Sequence, residues 1–290
     1  MSSLDDFRYS MLRHISQLGS FQNSWSAWKP VISRTIGNNP TAQSIYSLGE
    51  NLETVFKGNV VLGRDNSAVS SGGAAWECLI CWYMNLVFFG TDVVVVKPHQ
   101  NFMPKTLSDA LAISISNIKT NTESDLVAFN APSFSNGSSY NLQGIDMALA
   151  DNPLGTELSV IQCKTNWNDN AQIPMLWDLI YSSNSFRMAN VSVGNNGISP
   201  TSFKRFTYSF VTVPTSRGPF NSNSLAVLRV KNMSGGNYWG RVSKSGVARS
   251  VSEFFTANYG NCFSGTVQQS IERNVLNNYG VLDKFLELNF

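Results

Sequence analysis

The chain has 290 residues, 42% of them apolar, which is enough to bury a substantial core in one large or two modest domains. Only 14% of residues are charged and the net charge is +2, so neutral polar side chains carry much of the surface. That balance argues against a non-specific nucleic-acid coat and leaves room for cations gathered in one cleft.

The N-terminal MSSLDDFRYS is acidic and polar, without the apolar run of a secretory signal. Leu4, Phe7, Met11, Leu12 and Ile15 then recur at helical spacing, and residues 1–70 read as a helical extension broken at Gly37-Asn38-Asn39-Pro40. Ser70-Ser71-Gly72-Gly73 offers a helix start. Residues 74–89 are apolar all round except Glu77 and Asn85, as in a helix buried on every side, and are too short to span a bilayer comfortably. Four cysteines at 78, 81, 163 and 262 make no disulfide framework, so the expectation is a soluble cytoplasmic protein.

Residues 93–96 read as a buried strand ended by Lys97-Pro98, 107–118 as a helix, and 125–129 as a short strand. Residues 130–141 form a Ser/Asn/Gly loop. Two strands follow, 145–150 and 158–165, joined by the turn Asp151-Asn152-Pro153-Leu154-Gly155. Pro174 opens a further helix, 206–213 and 225–231 are strands, and the last forty residues return to helix. Strands alternating with helices predict an α/β fold with a mixed sheet, in one domain over 1–290. Its parts are 1–70, a core at 71–215, and C-terminal strands and helices at 216–290.

The two central strands carry unusual polar residues. If their hairpin is symmetrical about Leu154, Asp146 lies opposite Gln162, each eight positions away. Alternation then sets Gln162 and Lys164 on one face with Asp146. An acid, an amide and an ammonium on one face suit a metal-assisted phosphodiesterase. Asp146 and the Gln162 amide oxygen would supply ligands to Mg²⁺, the backbone carbonyl of Cys163 a third, and Lys164 would orient the attacking water.

Asp146 after Gly144-Ile145, then fifteen intervening positions, then Gln162-Cys163-Lys164, resembles the PD-(D/E)xK nuclease superfamily, and within it the type II restriction endonucleases. The resemblance covers roughly residues 70–215. It implies a restriction-endonuclease-like core with a central mixed sheet, Mg²⁺-dependent hydrolysis of double-stranded DNA, and often a homodimer. Isoleucine stands where proline often precedes the acid, and Gln162 replaces the second carboxylate, as in Q-x-K members of the family. The missing charge makes another acid desirable. Glu77 is the first choice, because the family often places a glutamate on a helix before the hairpin and a carboxylate in an apolar helix needs a partner. A buried salt bridge to Arg or Lys is the alternative. Asp125, on the preceding strand, and the turn acids Asp151 and Glu157 follow.

Asn166, Asn168, Asn170 and Gln172 follow the lysine directly and can contact adenine or phosphate, or simply cap a helix. Lys204, Arg205, Arg241 and Lys244 are cations for the DNA backbone. The segment 232–249 combines glycines, Tyr238-Trp239 and three cations, as a groove-entering arm or a β-hairpin. Neither His14 nor His99 has ligand spacing, the Cys78/Cys81 pair lacks a second ligand pair, and no phosphate-binding glycine loop is present. Zinc, triad and nucleotide-cofactor chemistry therefore fit poorly. Beside the restriction enzyme stand a structure-specific repair or recombination nuclease, and a DNA-binding module whose metal site has lapsed.

Overall fold

Helical spacing at the N-terminus is realised as helices α1 (Leu4–Ser16), α2 (Gly19–Ile36), α3 (Ala42–Ser47) and α4 (Leu52–Lys57). The computed structural model describes residues 4–58, 68–120, 124–131, 141–165, 172–186, 190–212, 221–241 and 246–288. The break expected at 37–40 falls where Gly37, at φ 79°, returns its N–H to Ser33 and ends α2. Thr41 then starts α3 through a reciprocal capping pair with Ser44. Helix α5 (Ala68–Val87) starts ahead of the Gly72-Gly73 pair and buries Trp76, Leu79, Ile80, Trp82 and Tyr83 completely.

The remaining elements are β1 (Val93–Val96), α6 (Lys105–Ala110), β2 (Ile113–Ile115), β3 (Ile118–Thr120), β4 (Leu126–Asn130), α7 (Leu142–Asp151) and β5 (Glu157–Lys164). Then come α8 (Gln172–Ser183), β6 (Ser185–Phe186), β7 (Val191–Val193), β8 (Arg205–Thr212), α9 (Leu225–Lys231), β9 (Gly236–Trp239), α10 (Val251–Tyr259), α11 (Val267–Ile271) and α12 (Val281–Leu286). The central sheet has the order β1-β4-β5-β8-β9. Its first three strands are antiparallel neighbours and its last three parallel ones. A second, antiparallel sheet runs β3-β2-β7-β6. The result is a mixed α/β fold with helical N- and C-terminal segments, and one apolar cluster extends from Leu4 to Phe285. Among the described residues no helix is long and apolar enough to cross a membrane.

Three expected elements differ. Residues 107–118 are a short helix followed by a hairpin, because Ser116 and Asn117 adopt φ of 50° and 66° and turn the chain between β2 and β3. Residues 225–231 are helix α9, in which Val227 and Val230 are buried while Leu225 and Leu228 face out, a period of three and not two. Residues 145–150 belong to helix α7. Asn141 caps it by accepting the Gly144 N–H at 2.8 Å, and Ile145 and Leu149, four apart, form its buried stripe. Among the described residues of 232–249, the one strand, β9, joins β8 in parallel. That crossover is tight at Gly235, where a Cβ would stand 2.1 Å from Ser209 Oγ.

The outer side of β1 is closed by side chains. The buried Asn85 amide donates to Val95 O at 2.8 Å and accepts from Val95 N at 3.2 Å. Arg8, fully buried and paired with Asp5, donates to Val93 O at 2.5 Å. Burial lowers the Arg8 guanidinium to about 10, against the raising charge of Asp5.

Antiparallel and parallel pairing together bring one end of β1, β5, β8 and β9, and the beginning of β4, to the same edge of the central sheet.

Candidate active site at one edge of the central sheet

Asp125 immediately precedes β4, and the pairing of Leu126 with Ile161 sets residue 125 opposite residue 162. Asp125 Oδ2 accepts from Gln162 Nε2 at 2.5 Å and from the Cys163 N–H at 2.7 Å. Gln162 is fully buried, and its Oε1 accepts from the buried Tyr208 hydroxyl at 2.8 Å. A carboxylate on one side and a phenol on the other thus fix the amide. An extended residue turns its N–H and C=O to the same side of the strand, so the Cys163 carbonyl also faces the Asp125 side. Lys164 is the last residue of β5 and shares the Gln162 face by alternation; its carbonyl accepts from Thr212 Oγ1 at 2.8 Å.

Glu77 reaches this edge from α5 and forms an ion pair with Lys97, the residue after β1. Burial raises the Asp125 carboxyl, and the negative charge of Glu77 raises it further. Lys164, the Cys163 N–H and Lys97 pull the other way, and the balance stands at about 6. Burial alone would lower the Lys97 ammonium, but the hydrogen bond and charge of Glu77 reverse that and hold it above the ordinary lysine range. Two acids, two ammonium groups and an immobilised amide therefore meet at one strand edge.

The expected acid is elsewhere. Asp146 lies on α7, and its Oδ1 accepts the Thr106 N–H at 2.7 Å in the first turn of α6. It satisfies one of the amides that a helix start leaves unpaired. Strand β5 is flanked by β4 and β8, so the 145–150/158–165 hairpin that would set Asp146 against Gln162 does not form. Its assignment as metal ligand and catalytic acid is corrected, and Asp125 holds the position opposite Gln162. The expectation that the Gln162 amide oxygen faces a metal is also corrected: Gln162 offers Asp125 its nitrogen while its oxygen is taken by Tyr208.

Lys204 and Arg205 are also displaced from the site. They pair with Glu157 at 3.3 and 3.0 Å, at the start of β5, the opposite end from Lys164. Eight residues of strand separate the two ends by about 23 Å. Arg241 follows β9 at the candidate-site edge and lies 3.6 Å from Glu53. Gln172 is exposed at the start of α8. Asn166, Asn168, Asn170 and Lys244 lie outside the described residues. Sequence reasoning ranked Asp125 behind other acids and passed over Lys97 and Tyr208. The signals for them were an acid abutting the apolar run Leu-Val-Ala-Phe and a lysine ending the run of four valines.

Among the described residues no three or more His, Cys, Asp or Glu side chains form a group able to hold a metal ion by themselves. Mg²⁺ does not require such a group, because it binds through one or two carboxylates and completes its shell with water and phosphate oxygens. Asp125, raised by burial and by the neighbouring Glu77, together with the Cys163 carbonyl, forms a hard oxygen set, which fits that ion. No protein-family model matches the chain, and no curated protein matches it significantly.

Proposed function

We propose that the protein is a Mg²⁺-dependent endonuclease of the PD-(D/E)xK type, acting on double-stranded DNA, with Asp125, Gln162 and Lys164 as its signature residues. The observation that carries this reading is Asp125 held by Gln162 and Cys163 at the strand end that also bears Lys164, with Glu77 close enough to raise it. Asp125, Glu77 and the Cys163 carbonyl would hold the ion. When bound, Mg²⁺ supplies Lewis-acid polarisation of the phosphate and a more acidic water.

The chain's own groups do the rest. Lys164 donates to the attacking water and to a non-bridging phosphate oxygen, stabilising charge that grows in the transition state. Tyr208 and Gln162 keep Asp125 from turning away. Lys97 holds the Glu77 carboxylate at the site edge. Asp125 must be ionised to bind a cation, so its raised carboxyl sets the acid limit of activity.

Within that class we favour a type II restriction endonuclease, a cytoplasmic enzyme that cuts at a defined sequence as a homodimer without a nucleotide cofactor. This rests on the family resemblance and on a single candidate site among the described residues, with no ATPase motif in the sequence. A non-catalytic DNA-binding module is favoured by one observation, the Glu77–Lys97 pair, which neutralises an acid without metal. Incubation of the purified protein with unmethylated phage DNA and Mg²⁺ separates the readings. The expected result is a ladder of discrete fragments that Lys164→Ala abolishes. Cuts confined to branched or nicked DNA would point to a repair enzyme, and uncut DNA with Mg²⁺, Mn²⁺ and Co²⁺ alike would overturn catalysis.

A further inference from the structure

Helices α8 and α9 lie side by side over one face of the central sheet. Tyr181 anchors α8 there, fully buried, with ring centroids 5.3 Å from Phe206 and 6.2 Å from Tyr208. Asp178 ties α8 to the turn after α9, accepting from Ser234 N at 2.7 Å and Ser234 Oγ at 2.8 Å. With Asp178 turned inward, the α8 sequence QIPMLWDLIYSS has no charge left for its outer face.

That outer face is aliphatic. Ile173, Leu176 and Leu179 are 39, 50 and 53% exposed, and Leu225 and Leu228 on α9 are 61 and 42% exposed. The spacing of three along each helix makes two parallel ridges, not scattered single residues. Helix α5, on the other side of the sheet, is as apolar but is covered by α1, α2, α4, α11 and α12. Five such side chains expose on the order of 500 Å², at the upper range of patches on monomers. Two copies of the patch would remove about 1,000 Å² from water, the threshold for a specific interface.

We propose that the α8–α9 face is the contact between two copies of this chain, related by a two-fold axis. The aliphatic ridges are complementary to themselves, as an isologous contact requires, while the cations of α9, Arg229 and Lys231, stand in its last turn. The role of the pair, presenting two sites to the two strands of a duplex, rests on the nuclease reading; the contact itself does not.

Sedimentation velocity of the full chain tests this. The expected mass is twice 31.9 kDa, halving in the double variant Leu176→Glu/Leu179→Glu with an unchanged circular dichroism spectrum. Leu225→Glu/Leu228→Glu is the second variant, should the first misfold, and Ile118→Glu, on the small hairpin, is the control that stays dimeric. On supercoiled plasmid the dissociated variant should nick where the wild type linearises. A wild-type monomer, leaving the face to a different protein, or a double variant that stays dimeric would overturn the proposal. A dimer split by these substitutions that never cuts DNA would remove the nuclease reading alone, and a monomer that cuts DNA would do the reverse.

Discussion

Asp125 and Asp146 each adjoin a short apolar run, and nothing in their immediate sequence ranks one above the other. Their surroundings differ in kind. Asp146 has what a helix-start cap asks for, one backbone N–H at 2.7 Å. Asp125 is pressed between a buried amide, a second carboxylate and two lysines, and its carboxyl is pushed up to about 6. Asp146 sits where the fold is satisfied by it; Asp125 sits where the fold bears a cost for its charge, the kind of position that marks a candidate functional group.

The largest test of that contrast is kinetic. Asp125→Ala or Lys164→Ala should lower Mg²⁺-dependent cleavage by about a thousandfold or more, since each removes charge stabilisation at the reacting phosphate. Asp146→Ala should leave the cleavage rate within a few-fold and cost about 1 kcal/mol in urea unfolding, as loss of a helix-start cap does. Equal loss of activity in both variants would break the comparison.

Acidity provides the second test. The folded carboxyl of Asp125 lies above the ordinary aspartate value of 3.8, so between the two values the native state holds a proton that the unfolded chain has released. Its contribution to stability is present below about 4 and is lost as pH rises through about 6. Asp125→Asn should therefore stabilise the protein at pH 8 by up to roughly 3 kcal/mol, less whatever solvent screens, while abolishing cleavage. Urea midpoints across the pH range measure the first effect. Wild-type cleavage should fall about tenfold per unit below pH 6 as the carboxylate is protonated.

Glu77→Gln sharpens the comparison further. Removing that charge lowers the Asp125 carboxyl toward the ordinary range, so whatever activity remains should keep its acid limb at lower pH than the wild type. The smallest effect belongs to Tyr208→Phe, which leaves the Gln162 oxygen without its donor. A loss of about 1 kcal/mol in stability and a few-fold in cleavage is expected, with no movement of the pH profile.

Much of this arrangement is legible in the sequence and some is not, for physical reasons. The buried helix α5, strand β5 and the choice of Glu77, Gln162 and Lys164 as residues to watch follow from polar residues intruding on apolar runs. The run Ile-Asp-Met-Ala-Leu-Ala satisfies a period of two and nearly satisfies one of 3.6, and six residues are too few to separate them. The deciding residues are Asn141 and Leu142, which lie just outside it and extend the helix. Strand 125–129 is legible, but its register against β5 joins residues 37 apart, which local pattern does not encode. Strand direction is equally non-local, and it is what separates Lys204 and Arg205 from Lys164.

The closure of β1 by Asn85 and Arg8 has a bearing on how the chain survives its own concentration. An outermost strand of four valines would otherwise present a ladder template to any neighbouring chain, the commonest route to fibrous aggregation. Two side chains occupy that template in place of another molecule's backbone. A chain shortened to begin after Ser16 would lose Arg8 together with the buried face of α1, opening half of that template, and is expected to associate edge to edge.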